Sequence, residues 1–334
     1  MNTGALRERL TARRIVTSRE GSVVMISMLL AVLFTSLNTA FVGVRNFNNI
    51  AELVTASSVV AAGQVMLMVM GDIDLSVGAV YALTPYLVYL TYTSGISMAL
   101  GVPLSVLAAV AVGLANGMIT VYLRVPALIT TLGMDFAITA TNLIISNDYQ
   151  QDMPNQQPYT WIFGGGKLFG IEVSFIWTAL AFVIVAVMLV RMRHGLWSIA
   201  TGGNRDGAKE VGVNVSLTKI RNFVLISTIA GLWGLFAANR NFTYGGIGIA
   251  NPLQGGDTLT LESIAAAAIG GTSLFGGSGT VIGAFFGSLL INVLQDGLEL
   301  TGANAYSYDT LLGIAIIFAM VLNMQARRRS RQGG

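Results

Sequence analysis

The chain has 334 residues, of which 54% are hydrophobic and only 10% are Asp, Glu, Lys or Arg, against roughly 25% charged in a soluble domain. Ten membrane helices at about 20 apolar residues each would use about 200 residues and leave little room for a separate soluble domain. The absence of Cys and the single His, His194, exclude disulfides, thiolate nucleophiles and Cys- or multi-His metal sites. The net charge of +3 comes from basic clusters at the ends of apolar runs, which is a topology signal and gives no reason to expect nucleic acid.

In chain order, residues 1–20 are a polar tail with Arg7, Arg9, Arg13, Arg14 and Arg19. The apolar run from about Gly21 to Val42 is longer than the roughly 7–15 residues of a signal-peptide core, so it reads as an uncleaved first span. Nine more runs lie near 52–70, 78–94, 97–121, 126–146, 173–190, 222–240, 260–270, 279–297 and 308–324. The expectation is an all-α, polytopic membrane protein of about ten transmembrane helices, the eighth short enough to be a half-span.

With the N-terminus inside, the basic residues of the N-terminal tail, Arg124, the 191–221 loop and the C-terminal residues Arg327, Arg328, Arg329 and Arg331 all fall inside. Only Arg45, Lys167 and Arg240 fall outside. This asymmetry supports an even span count with both termini cytoplasmic. The predicted organisation is a tail over 1–20, a membrane domain over 21–324 and a basic tail over 325–334. The long loop at 147–172 faces out and the one at 191–221 faces in.

The segment Gly71-Asp72-Ile73-Asp74-Leu75-Ser76-Val77-Gly78 puts two carboxylates beside membrane helices, where full immersion costs about 2.5–3.5 kcal/mol each on insertion scales. It reads as a gate or a helix-capping turn, or as a polar turn closed by Gly. Asp-x-Asp also occurs in metal-nucleotide sites of glycosyltransferases. A second Gly-rich block holds Gly270, Gly271, Gly276 and Gly277. Asp257 and Glu262 precede it in a short Ala-rich helix. Both blocks join two apolar runs, which suggests an internal duplication. Gly276 to Gly279 fits an intramembrane serine-protease pattern, but His194 lies elsewhere, among arginines. Gly113 with Gly117, and Gly279, Gly283 and Gly287, put glycine on single helix faces for close helix packing.

In the 191–221 loop, Gly202, Gly203 and Asn204 precede a short helix from Arg205 to Val211 that Gly212 ends. Such a helix suits docking to a cytoplasmic partner, or the loop serves topology alone. There is no Gly-x-x-x-x-Gly-Lys-Ser/Thr loop, so the chain does not bind ATP as a P-loop enzyme. Neither catalytic residues nor a metal site are expected.

Four ordered blocks resemble the permease subunits of bacterial ATP-binding-cassette importers for monosaccharides, the ribose/xylose/arabinose type. They are residues 71–78 (with Asp72 in place of a Gly), Val125 to Gly133, Gly202 to Val215, and Leu261 to Thr280. The resemblance extends from about residue 45 to 324. It implies a second permease copy or sister subunit, two separate ATPase subunits carrying ATP and Mg, and an external sugar-binding protein. The setting would be the lipid of the bacterial inner membrane.

The resemblance also makes 191–221 the coupling loop, with Gly202, Gly203, Asn204, Glu210, Gly212 and Asn214 near the ATPase. Asp72, Asp74, Ser76 and Gly78, with the second Gly block, become gate or turn elements. Asn116, Thr130, Thr131 and Asn142 are polar residues in or beside apolar runs and are candidates for the translocation path. The cargo would be a monosaccharide or similar polyol. Two other readings stay open: an ion-driven carrier using Asp135 or Glu262, and a membrane glycosyltransferase using Asp72 and Asp74.

Overall fold

The computed structural model describes residues 19–253 and 255–332. Nearly all of the N-terminal tail, residue 254 and the last two residues lie outside that range. Each of the ten apolar runs is a helix. They are α1 (Arg19–Leu37), α2 (Val44–Met68), α3 (Val77–Thr93), α4 (Met98–Tyr122), α5 (Ala127–Ser146) and α6 (Val173–Arg191). After the short helices α7 (Arg193–Gly203) and α8 (Arg205–Glu210) come α9 (Val215–Asn239), α10 (Gly256–Ile269), α11 (Val281–Leu300) and α12 (Ala305–Gln332). Six helices are long and apolar enough to cross a membrane.

Strand is confined to two-residue pieces. β1 (Gln151–Asp152) pairs antiparallel with β4 (Ile249–Ala250), and β2 (Lys167–Leu168) with β3 (Ile171–Glu172). The Met153 N–H extends the first ladder by donating to Gly248 O at 2.8 Å.

Two helices start earlier than hydropathy suggests. α9 begins at Val215, because the Asn214 side chain caps it by accepting the Leu217 N–H at 3.0 Å. Lys219 and Arg221 therefore sit on the first turns of a helix and not in a loop. α2 begins at Val44, because Asn46 and Asn49 donate to the Asp296 carboxylate on α11 at 2.6 and 2.8 Å. Polar side chains with partners on a neighbouring helix do not end a helix. α10 has 14 residues, or about 21 Å, short of the roughly 30 Å hydrocarbon core.

α2 is the central post. Residues 57–68 are fully buried within it, and α9, α10, α11 and α6 pack around it. The glycine faces pack as their spacing predicted, except that Gly279 precedes the Thr280 cap of α11 and lies outside that helix. A Cβ at Gly113 on α4 would lie 2.6 Å from Phe223 O on α9, and one at Gly117 would lie 2.9 Å from Ile220 Cα. Across α10 and α11, a Cβ at Gly283 would lie 2.0 Å from Gly270 O, and one at Gly287 would lie 2.0 Å from Ala266 O. Polar contacts add to this packing. Asn292 donates to Ser57 Oγ at 2.7 Å, and Asn222 joins α9 to Met66 O at 2.8 Å and to Ser198 on α7 at 3.0 Å. Such bonds average about 0.6 kcal/mol between membrane helices, so close backbone approach is the larger constraint.

This yields a paired prediction. Gly287→Ala should destabilise the solubilised protein by about 1–3 kcal/mol, the usual cost of overpacking. Gly313→Ala on α12, where nothing lies within 4 Å, should be neutral or slightly stabilising. Thermal aggregation midpoints in detergent check both.

Candidate functional site

The 191–221 segment is mostly helical. α8 is pinned at its start by Asn204, whose Oδ1 accepts the Gly207 N–H at 3.0 Å. It ends at Gly212 in the left-handed region, φ +86°, and Asn214 then caps α9. One face buries Ala208 with Val213 and Val215, against Trp197. The other exposes Arg205, Asp206, Glu210 and Val211. The exposed Lys209–Asp206 pair at 3.3 Å adds little stability. The result is a short charged helix fixed at both ends, suited to a docking element.

Behind it, three sequence-distant glycine segments meet. A Cβ on Gly202 would lie 1.8 Å from Val69 O and 2.7 Å from Gly277 N, and the Gly277 N–H donates to Val69 O at 2.8 Å. A Cβ on Gly276 would lie 2.9 Å from Gly202 Cα and 3.0 Å from Gly71 N. Gly71, Gly276 and Gly277 have φ of +84°, +82° and +84°, which glycine adopts at no steric cost. Gly270 packs on α11 as described above, and Gly271, at φ +95°, turns the chain out of α10.

From this junction the 69–76 segment doubles back along α2. Gln64 Nε2 donates to Asp74 O at 2.6 Å, so α3 starts beside the interior of α2 and not at its end. Asp74 and Ser76 are fully buried. The Asp74 carboxylate accepts the Ser76 N–H at 2.8 Å and its hydroxyl at 2.6 Å, and Asn116 donates to Ser76 Oγ at 2.9 Å. At the next turn, Gly78 N–H donates to Thr260 Oγ1 at 3.0 Å. A Cβ there would lie 1.9 Å from Gly256 O, so the first turns of α3 and α10 meet head to head.

Asp72 has a different partner. It forms an ion pair with Lys219 on α9 at 2.7 Å. Burial raises its carboxyl above the ordinary carboxylate range, and Lys219 offsets only part of that. The two aspartates face different partners, so they do not form the joint acidic site of a glycosyltransferase.

The four path candidates are all buried. Asn116 binds Ser76, and Asn142 on α5 donates to Ala79 O on α3 at 3.1 Å. Thr130 and Thr131 lie on the same helix. None of the four is among the described lining residues of the two cavities that follow.

A chamber of about 220 Å³ lies among α2, α3, α6, α9, α10 and α11, with Glu52, Tyr81, Trp233, Arg240, Glu262 and Asn292 in its wall. A larger cavity of about 910 Å³, lined by Arg45, Asn46, Asn49 and Tyr244, shares Glu52 and Arg240 with it. Glu262, placed by sequence near a helix start, is two turns inside α10 and accepts the Tyr308 hydroxyl at 2.5 Å. Glu52, Trp233 and Arg240 were not singled out by sequence. An acid at the edge of one apolar run and an arginine at the end of another are the signals that identify them, because intramembrane charges are costly and serve function.

The chain matches the family described as branched-chain amino acid transport system / permease component over residues 46–320. The chain belongs to that family. It is 36% identical to a xylose/arabinose import permease protein of Sulfolobus acidocaldarius over 95% of this chain and 88% of the relative. It is 30% identical to a ribose import permease protein of Bacillus subtilis over 88% and 89%. It is also 30% identical to an L-arabinose ABC transporter permease protein of Azospirillum brasilense over 92% and 88%. No solved structure matches.

The permease is the multi-pass transport subunit of an ATP-binding-cassette importer and not an enzyme. Its glycine junction generates a contrast between adjacent residues. Gly202→Ala should cost about 1–3 kcal/mol, because its methyl group meets backbone. Gly203→Ala, whose nearest new neighbour is 4.0 Å away, should stay within about 0.5 kcal/mol. Melting of the purified permease separates the two, and equal losses would contradict the junction described.

Proposed function

We propose that the permease imports a neutral monosaccharide, with pentoses foremost, across a bacterial inner membrane. It would work as one of two permease subunits, a second copy or a sister chain. Two separate ATPase subunits would bind ATP and Mg, and an external binding protein would deliver the sugar. The cargo reading is supported by the printed names of the relatives, which are xylose/arabinose, ribose and L-arabinose permeases.

The observation that carries the partner reading is α8. It is a short helix with an exposed charged face, fixed by Asn204 and Asn214 on the side that the basic residues assign to the cytoplasm. A chain without a P-loop must receive the work of ATP hydrolysis through such a contact. In this reading Gly203, Glu210 and Gly212 meet the ATPase, while Gly202, Gly71, Gly276 and Gly277 pass its movement to α2 and α3. The segments 147–172 and 191–221 are then the external and coupling faces of one membrane domain.

Proteoliposomes holding the permease, its ATPase and its binding protein test this. Pentose uptake should require ATP. Asn204→Ala, which removes a cap worth about 1 kcal/mol, should lower uptake several-fold at unchanged membrane insertion. Uptake that ignores ATP and collapses with an uncoupler would favour the ion-driven carrier and direct attention to Asp135 and Glu262.

A further inference from the structure

We propose that the chamber is a transit site for one neutral polyhydroxylated sugar, and that the Glu52–Arg240 ion pair is the gate between it and the larger cavity. The inference rests on the sugar-import reading.

The geometry of the two cavities carries the gate. They share only Glu52 and Arg240 among their described lining residues, and those two side chains bind each other. The pair therefore borders both spaces, as a gate between them would. Arg240 is held in reserve from a second side. Its Nε lies 3.6 Å from Glu172, which also accepts the Tyr244 hydroxyl, and the Tyr244 ring sits 5.6 Å from the guanidinium. Arg240 can leave Glu52 and remain paired with Glu172, so opening does not strand the guanidinium, and the part-exposed Glu52 is left to face the larger cavity. Both partners are part-exposed, at 19% and 31%, as a gate facing a wet vestibule requires.

The wall of the chamber carries the cargo class. Tyr81, Trp233 and Phe236 present aromatic surface. Trp233 is fixed by its indole N–H donating to Thr178 at 2.8 Å and by edge contact with Phe236 at 5.1 Å. Glu262, Asn292 and Ser174 add acidic, amide and hydroxyl groups. Aromatic faces for C–H surface and polar groups for hydroxyls suit a sugar ring. Among the described lining residues Arg240 is the only cation, and two carboxylates already engage it. A sugar acid or phosphosugar would therefore find no counter-charge. At about 220 Å³ the space equals about seven waters in bulk volume, which suits a single ring.

The chain has no cysteine, so one introduced thiol is the only one on it. The test uses Ser174→Cys in the whole importer in proteoliposomes, with a charged, membrane-impermeant thiol reagent outside. Adding Glu52→Gln should raise the labelling rate at least tenfold. Whichever of D-xylose, L-arabinose or D-ribose the unmodified importer takes up should slow labelling, and D-xylonate should not. Trp233→Ala should raise the KM for that pentose at least tenfold, while Trp233→Phe restores much of it.

Labelling unchanged by Glu52→Gln would overturn the gate. Labelling unaffected by the imported sugar, or slowed equally by D-xylonate, would overturn the transit site. If the unmodified importer takes up none of the three pentoses, the import reading fails, and the Glu52→Gln rate still judges the gate.

Discussion

The contact on which the rest depends is backbone on backbone where Gly202, Val69 and Gly277 meet. Hydrocarbon supplies no hydrophobic drive between helices, so a membrane protein is held by how closely its surfaces approach. Here the approach is limited by the first side-chain carbon, since a methyl group on Gly202 would fall within bonding distance of a carbonyl oxygen. That closeness brings the end of α7, the turn after α2 and the loop between α10 and α11 into one body. α8 follows α7 directly through Asn204, so the surface helix is the next element after this junction.

The same economy governs polar groups. Asp74 is immersed but fully engaged by Ser76, and Asp296 is held by two asparagine amides. Asp72 has Lys219, and Glu262 has Tyr308. Apart from Asp72, these acids are held by neutral donors. A cation is instead concentrated at Arg240, where the cavities meet.

Much of the architecture was legible because span length and glycine spacing each rest on a single local rule. The ten runs became helices, the eighth was short, and α8 ended at Gly212. Legibility failed where partners decide. Asn46 and Asn49 looked like a loop until Asp296 gave them a role, and Lys219 looked like a topology charge until Asp72 faced it. The path candidates carry a pattern with more than one meaning. Asn116 and Asn142 are polar residues in apolar runs, and polar groups bonded to neighbouring helices share that pattern, Asn116 donating to Ser76 Oγ and Asn142 to Ala79 O. Glu52 and Arg240 are 188 positions apart, and no spacing links them; only the fold of α2 against α9 does.

The short α10 has one more consequence. Because it covers only part of the hydrocarbon depth, the non-helical backbone before it needs hydrogen-bond partners. Part of that need is met by β1, which pairs with β4, and by Met153, which binds Gly248. The loop over 147–172 is thereby stitched to the segment that precedes α10. The approach to the short helix is thus fixed by a stretch of chain far from it in sequence, with Gln151 opposite Ala250.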